Sequence, residues 1–341
     1  MSSIPSGFVP LVQTTRGGTL DNIHFGAVAV CDASGKLVAH AGDPHWVAFT
    51  RSTIKALQAL PFVMSGGPKQ LGLTQRNLAM LCASHGGEPM HVEQIDDILG
   101  KAHVGYKRLQ CGCHVPYHIQ LAVNQPPPTD THWDERHHNC SGKHSGFLAH
   151  CAVHGLPLET YLSPDHPLQR AVRSHLARAV GLQEDDLKLG IDGCSAPNYA
   201  MPLSALARGY ARLATGARDS EFGEAFQPLA GAMRAHPELV SGTGRADNDY
   251  MRAGRGDWVT KAGADGIHVV ASASRGQAIA VKVVDTNVIA LQAATVEAMD
   301  QLGWLDDTQR EALAKWRAAT VTNWRGTPVG ERKPVFKLQT A

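Results

Sequence analysis

The 341-residue chain has no excess of charge of either sign: 32 basic and 31 acidic residues, scattered throughout, leave a formal net charge of +1. A protein that grips nucleic acid or an anionic membrane surface carries a basic face. The expected partner is therefore a small molecule, with no nucleic acid and no membrane among its partners. Long apolar runs are also missing, and no segment approaches the uninterrupted length of a membrane span. The opening Met1-Ser2-Ser3-Ile4-Pro5-Ser6-Gly7 has neither the positive flank nor the apolar core of a secretory signal. The cysteines number seven, an odd count without regular spacing, which does not suggest a disulfide framework. Together these absences predict a cytoplasmic protein whose thiols stay free for metal binding or catalysis. There is no internal repeat or low-complexity tract, and 43% hydrophobic content suffices for one large domain or two closely joined ones.

What is present reads as sheet, then helices, then sheet. Phe8-Val9-Pro10-Leu11-Val12 and Ile23-His24-Phe25-Gly26-Ala27-Val28-Ala29-Val30 alternate or run apolar, and Asp32-Ala33-Ser34-Gly35 turns into Lys36-Leu37-Val38-Ala39-His40, as in an antiparallel meander. Helical spacing follows over 52–61, 74–83 and 91–102, then over 143–154, 168–180, 202–214 and 219–235. Between them a Pro-, Gly- and His-rich stretch around Pro126-Pro127-Pro128 predicts an irregular surface loop. The β signal returns at 258–261, 266–273 and 277–284 and ends in a helix over 287–302, while 318–341 predicts an extended or fraying tail. The expected class is α+β, with one antiparallel sheet built from N- and C-terminal segments and a helical region between them.

One stretch is chemically dense. His138-Asn139-Cys140-Ser141-Gly142-Lys143-His144-Ser145-Gly146-Phe147-Leu148 packs a thiol, an amine, two hydroxyls, two imidazoles and two glycines ahead of a helical pattern. Solvated loops rarely combine nucleophiles and metal ligands with glycines that let a backbone approach a ligand. Elsewhere, Arg51-Ser52-Thr53-Ile54-Lys55 sets a serine three residues before a lysine at a helix start, on one face. Ser52 is then a candidate nucleophile and Lys55 its base, if burial or a nearby cation lowers the lysine; the plainer reading is a helix cap with a solvated lysine. Ser84-His85-Gly86-Gly87-Glu88 offers a second hydroxyl or simply a capping turn. Thr260-Lys261-Ala262-Gly263 is similar to the strand-borne Lys-Thr-Gly element of penicillin-interacting enzymes, in altered order, so Lys261 is a candidate partner for Ser84. Cys140 and Lys143, with Cys194 in Ile191-Asp192-Gly193-Cys194, provide either two zinc thiolates or two buried structural cysteines; no CxxC pair nearby completes a conventional site. Cys111-Gly112-Cys113-His114 reads as loop.

Taken together, Arg51-Ser52-x-x-Lys55-x-x-Gln58, Ser84-His85-x-Gly87-Glu88, the 138–144 run, Asp192-Gly193-Cys194 and Gly242-Thr243-Gly244-Arg245 resemble the asparaginase II family of rhizobial-type, class 3 L-asparaginases. The resemblance runs in consistent order over roughly 8–300 and leaves the tail uncovered. It implies a single catalytic unit over 1–341 with a serine β-lactamase/glutaminase-like fold, in which about 8–50 and 257–285 with the C-terminal helix form the sheet layer and about 51–240 the helical region. It also implies hydrolysis of L-asparagine to L-aspartate and ammonia, by a homodimer. Residue by residue, Ser52 with Lys55 and Ser84 with Lys261 match two catalytic Ser-Lys tandems. Cys140, Lys143 and Cys194 match a zinc site completed by water, one ion per chain with weak or variable occupancy, and Arg51, His144 and Asp192 match substrate-binding positions. The chain departs from the family at Asp247, two residues after Arg245, where many members have a cysteine. That exchange bears on metal affinity or substrate preference and is expected to leave the Ser-Lys pairs untouched.

The expected mechanism is attack by a hydroxyl, first Ser52, on the side-chain amide, with a lysine passing the proton to leaving ammonia. Competing readings are another serine amidohydrolase, acting on glutamine, a β-lactam or a peptide, and a non-catalytic amino-acid-binding protein.

Overall fold

A computed structural model describes residues 7–120, 132–317 and 319–341; the loop around Pro126-Pro127-Pro128 lies outside them. The apolar segments at the start form the meander β1 (Val9–Arg16), β2 (Thr19–Asp32) and β3 (Leu37–Ala41), followed by the short β4 (Val47–Phe49). Two strands with no clear alternation in the sequence, β5 (Lys188–Ile191) and β6 (Pro197–Pro202), pair with β4 in a small second sheet ordered β4-β6-β5. Late in the chain come β7 (Trp258–Gly263), β8 (Ile267–Ser272) and β9 (Gln277–Val283). The main sheet runs β10-β11-β1-β2-β9-β8-β7 and is antiparallel, with β3 on β2 and β12 on β3; here β10 is Thr320–Thr322, β11 is Pro328–Pro334 and β12 is Gln339–Thr340. The molecule is thus mixed helix and curled antiparallel sheet, consistent with an α+β class. Residues 319–341, expected as a tail, instead add edge strands, because β11 finds the open edge of β1.

Both faces of β2 are covered, and its period-two alternation sorts the side chains by size. Ala27, Ala29 and Cys31 join Ala278 and Ala280 of β9 under the helical region, while Val28, Val30, Ile279 and Val281 face the C-terminal helix Val288–Gln301, all of them fully buried. Small side chains on one face let the helix Leu203–Thr215 lie close to the sheet. Its Tyr210 hydroxyl donates to the Thr53 carbonyl at 2.6 Å, which anchors the Arg51–Lys55 turn to the centre of the fold. Among the described residues no helix is long and apolar enough to cross a membrane.

The two glycines of the dense segment serve packing between helices. A Cβ on Gly142 would sit 2.2 Å from the Met80 carbonyl oxygen, and one on Gly146 would sit 2.6 Å from Leu81 Cδ2, so the helix Ser141–Val153 touches Gln75–Leu81 through a glycine face. These glycines, expected from the sequence to let backbone approach a ligand, face the neighbouring helix. Gly142→Ala is expected to cost ~1–3 kcal/mol by overpacking against rigid backbone, and to weaken activity by displacing Lys143; denaturant unfolding and turnover measure the two effects.

Candidate active site

The Ser52 turn is held from both sides. Arg51 has φ 49°, a left-handed conformation that costs a non-glycine residue energy and persists only where the surroundings enforce it. Here Asn198 enforces it, accepting from Arg51 N at 3.0 Å and donating to Arg51 O at 3.0 Å. Thr50 N and Oγ1 both donate to the Tyr199 carbonyl, at 3.1 and 2.8 Å. The small sheet thereby grips the turn. Ser52 is the second residue of the 3-10 segment Arg51–Ile54, which runs directly into the helix Lys55–Gln58. Its hydroxyl makes no hydrogen bond to the described residues, although the residue is only 9% exposed.

Lys55 is buried, and its amine does not meet Ser52. It donates to Ser84 Oγ at 2.9 Å, to the Ala83 carbonyl at 2.6 Å and to the Asn139 carbonyl at 3.3 Å. The hydrogen-bonded serine-lysine pair is therefore Ser84–Lys55, which crosses the two motifs that the sequence had paired separately. Ser84 is itself fixed by its backbone, N donating to the Val240 carbonyl at 2.8 Å and O accepting from Arg245 Nη1 at 2.5 Å. The Asn139 carbonyl ties this pair to the dense segment, one residue before Cys140.

Lys261 is on β7, fully buried, and bonds Asp247 Oδ2 at 2.9 Å instead of Ser84. The expectation that Asp247 leaves the Ser-Lys pairs untouched is overturned here, because its carboxylate binds one of the two lysines directly. Burial pulls the Lys261 amine down to about 8, while the Asp247 charge pushes the other way. Burial would raise the Asp247 carboxyl, but the neighbouring Lys261 and His268 outweigh it and hold it well below the usual carboxylate range.

Cys140, Lys143 and Cys194 converge, each at most 4% exposed, with Lys143 Nζ 3.1 Å from Cys194 Sγ. The neighbouring Cys140 thiol is the largest influence on Cys194 and, with Lys143 and against the cost of burial, drives its thiol far below the ordinary range; Cys140 moves the opposite way. Burial works against a charged Lys143, yet the two thiols keep its amine above the usual lysine value. The picture is a buried thiolate-ammonium pair. Cys111, read as loop from the sequence, brings a third thiol within electrostatic reach of Cys194 and Lys143. Among the described residues, no three His, Cys, Asp or Glu side chains cluster in a way that could hold a metal; the donor set here depends on a lysine.

Of the remaining expected positions, Arg51 Nε bonds Asp192 Oδ1 at 2.8 Å, and its Nη1 reaches Asp265. Asp192 thus lies two residues from Cys194 and one ion pair from Ser52, linking the thiols to the serine turn. His144 is fully buried behind the thiols and 2.7 Å from the Tyr161 hydroxyl through Nδ1, while its Nε2 is buried without a hydrogen bond beside the Cys194 charge.

Sequence reasoning did not nominate Asn198, Arg245 or His268 as site residues, since they act through backbone carbonyls or other side chains. Arg245 alone had a signal, as the last residue of Gly242-Thr243-Gly244-Arg245. The preceding Thr243 is latched by Glu88, which accepts from its N and Oγ1 at 3.1 Å each. A family model described as L-asparaginase II matches residues 12–334, further into the tail than the motifs reach. Comparison with curated proteins gives no match.

Proposed function

The chain belongs to the L-asparaginase II family, and from that premise we propose that it hydrolyses L-asparagine to L-aspartate and ammonia through a serine nucleophile. One observation carries the reading: a buried lysine amine is bonded to the Ser84 hydroxyl, one helical turn from a serine whose own hydroxyl is free. Ser52 attacks the side-chain amide carbon, presented by the strained Arg51 backbone at the start of a helical turn, where backbone N–H groups favour a developing oxyanion. Its proton passes to Ser84 as Ser84 hands its own to the Lys55 amine. The base form of Lys55 that this step uses would keep two N–H donors on the Ala83 and Asn139 carbonyls and turn its lone pair to Ser84. The C–N bond then breaks, the leaving ammonia takes the proton from Lys55, and water hydrolyses the ester along the same path in reverse. Arg51 and Asp192 line the substrate side, and His144 supports the thiols beside it.

Zinc fits the Cys140, Lys143 and Cys194 set, because two soft sulfurs and an amine are already together and the orphaned His144 Nε2 lies beside them. Those three residues would hold the ion, which would supply rigidity more than Lewis acidity, as two thiolates blunt its charge. Lys143 must lose its proton to become a ligand, so affinity is weak and rises with pH. Metal analysis of purified protein is expected to find zinc that Cys140→Ser loses; equal content in both would remove Cys140 from the site.

The same reading takes the chain as one catalytic unit of serine β-lactamase/glutaminase-like fold, a cytoplasmic homodimer. Support for the fold likeness comes from β7 lying against the serine turn, where a Cβ on Gly263 would come 3.0 Å from the Thr50 carbonyl. Ammonia release from asparagine and glutamine, with turnover of a chromogenic β-lactam alongside, tests the function. Preference for asparagine is expected, and a folded protein that releases no ammonia from it contradicts the proposal.

A further inference from the structure

Resting on that amidohydrolase reading, we infer that Asp247 is a positioning residue that holds the Lys261 amine on β7, away from Ser84, as a fixed charge beside the proton path. Asp247 lies in the first turn of the helix Ala246–Ala253 and is 3% exposed, with both carboxylate oxygens engaged on β7. Oδ2 accepts from Lys261 Nζ at 2.9 Å and Oδ1 accepts from the Ala262 backbone N–H at 2.7 Å, so the carboxylate grips the amine and the backbone that follows it. Lys261 Nζ also donates to the Ala262 carbonyl at 2.9 Å. Swinging the amine to Ser84 would break these contacts and strand a buried carboxylate, which is costly.

A second layer holds the carboxylate. His268 Nε2 lies 3.5 Å from Asp247 Oδ1 and is hydrogen-bonded to Thr260 Oγ1 at 2.7 Å, while Thr260 Oγ1 lies 3.0 Å from the Val269 carbonyl. His268, Thr260 and Lys261 are all fully buried. This is a built network, far from the flexible surface ion pairs that contribute little.

The groups that face Lys261 come from every element around it. Asp247 faces it from its helix and His268 from β8 through Asp247. Lys55 faces it from the helix after the serine turn, Arg245 from the turn before the Asp247 helix, and Cys82 from the end of Gln75–Leu81. Burial pushes the Cys82 thiol up to about 12, so it brings no negative charge. Among the described residues, Asp247 is then the one anion acting directly on Lys261. A carboxylate in contact with a buried lysine favours its charged form. At neutral pH this keeps Lys261 an ammonium, a fixed charge beside the proton path.

Asp247→Asn tests this, since it keeps the volume and an acceptor for the Ala262 N–H while removing the charge. Two readouts are compared in wild type, Asp247→Asn and Asp247→Glu: the titration of the Lys261 Cε resonance in carbon-13 lysine-labelled protein, assigned with Lys261→Met, and the pH profile of kcat/KM for L-asparagine. In wild type the resonance and the alkaline limb of the profile should share a midpoint near 8. In Asp247→Asn both should move to lower pH by about one to three pH units, with kcat falling more than KM changes, and Asp247→Glu should restore them. An unmoved Lys261 midpoint in folded Asp247→Asn overturns the pairing, and a moved midpoint with an unmoved kinetic limb overturns its part in turnover. Absence of ammonia release from wild type would count against the functional reading instead, and the resonance would then decide the pairing alone.

Discussion

Ser52→Ala is expected to lower ammonia release from L-asparagine about 10⁴-fold or more, with unfolding unchanged within about 0.5 kcal/mol. The second part follows from the structure, since the Ser52 hydroxyl makes no hydrogen bond to the described residues and its loss leaves no buried partner orphaned. The first part follows from its place: a free hydroxyl after a backbone that Asn198 and Tyr199 hold in a strained shape. Ser84→Ala should behave differently. It removes the relay but leaves the nucleophile, so a loss of about 10²–10³-fold is expected, the size of a general acid-base contribution. It should also cost stability, because Lys55 loses one of three acceptors in a buried position. Near-normal turnover in Ser52→Ala with abolished turnover in Ser84→Ala would exchange the two assignments.

Cys194→Ala is expected to destabilise the metal-free protein by about 3–5 kcal/mol, the cost of leaving a buried charge without its partner. Lys143 is 3% exposed, and its amine is held above the usual lysine value by the thiols, with Cys194 the foremost of them. Without that thiolate the ammonium must stay charged in an apolar site or give up its proton. A second variant separates this account from simple loss of packing. Cys194→Ala combined with Lys143→Met removes both charges and should recover much of the stability, since apolar replacement of a whole buried pair is often neutral or better. Urea unfolding of the two variants in chelator reads the difference, and equal losses in both would show that the pair contributes through volume alone.

Much of this architecture was legible in the residues, for physical reasons that can be named. The strands near 23–30 and 277–284 announce themselves because period-two alternation places Ala27 and Ala29 on one face and Val28 and Val30 on the other. The helices over 168–180 and 287–302 carry periodic patterns and match Pro167–Val180 and Val288–Gln301 closely. Strands β5, β6 and β10–β12 escaped because they are short or polar and depend on an edge offered by distant chain. The site was legible as an inventory but not as a wiring. Ser52, Lys55, Ser84 and Lys261 could be nominated from local motifs, yet the bond from Lys55 to Ser84 depends on how the end of Gln75–Leu81 docks on a helix 29 positions earlier. Asp247 could be seen as an unusual residue, but its hold on Lys261 appears only when the helix that bears it packs on β7.

The central claim, a covalent serine route to aspartate with Ser52 as nucleophile, is tested most directly by trapping. The protein would be incubated with an asparagine analogue that carries a diazoketone in place of the side-chain amide, then digested and mapped by mass spectrometry. The account predicts one label per chain, on the peptide that contains Ser52, slowed by excess L-asparagine and absent from Ser52→Ala. A label on Ser84, or an active enzyme that takes no label at either serine, would contradict it.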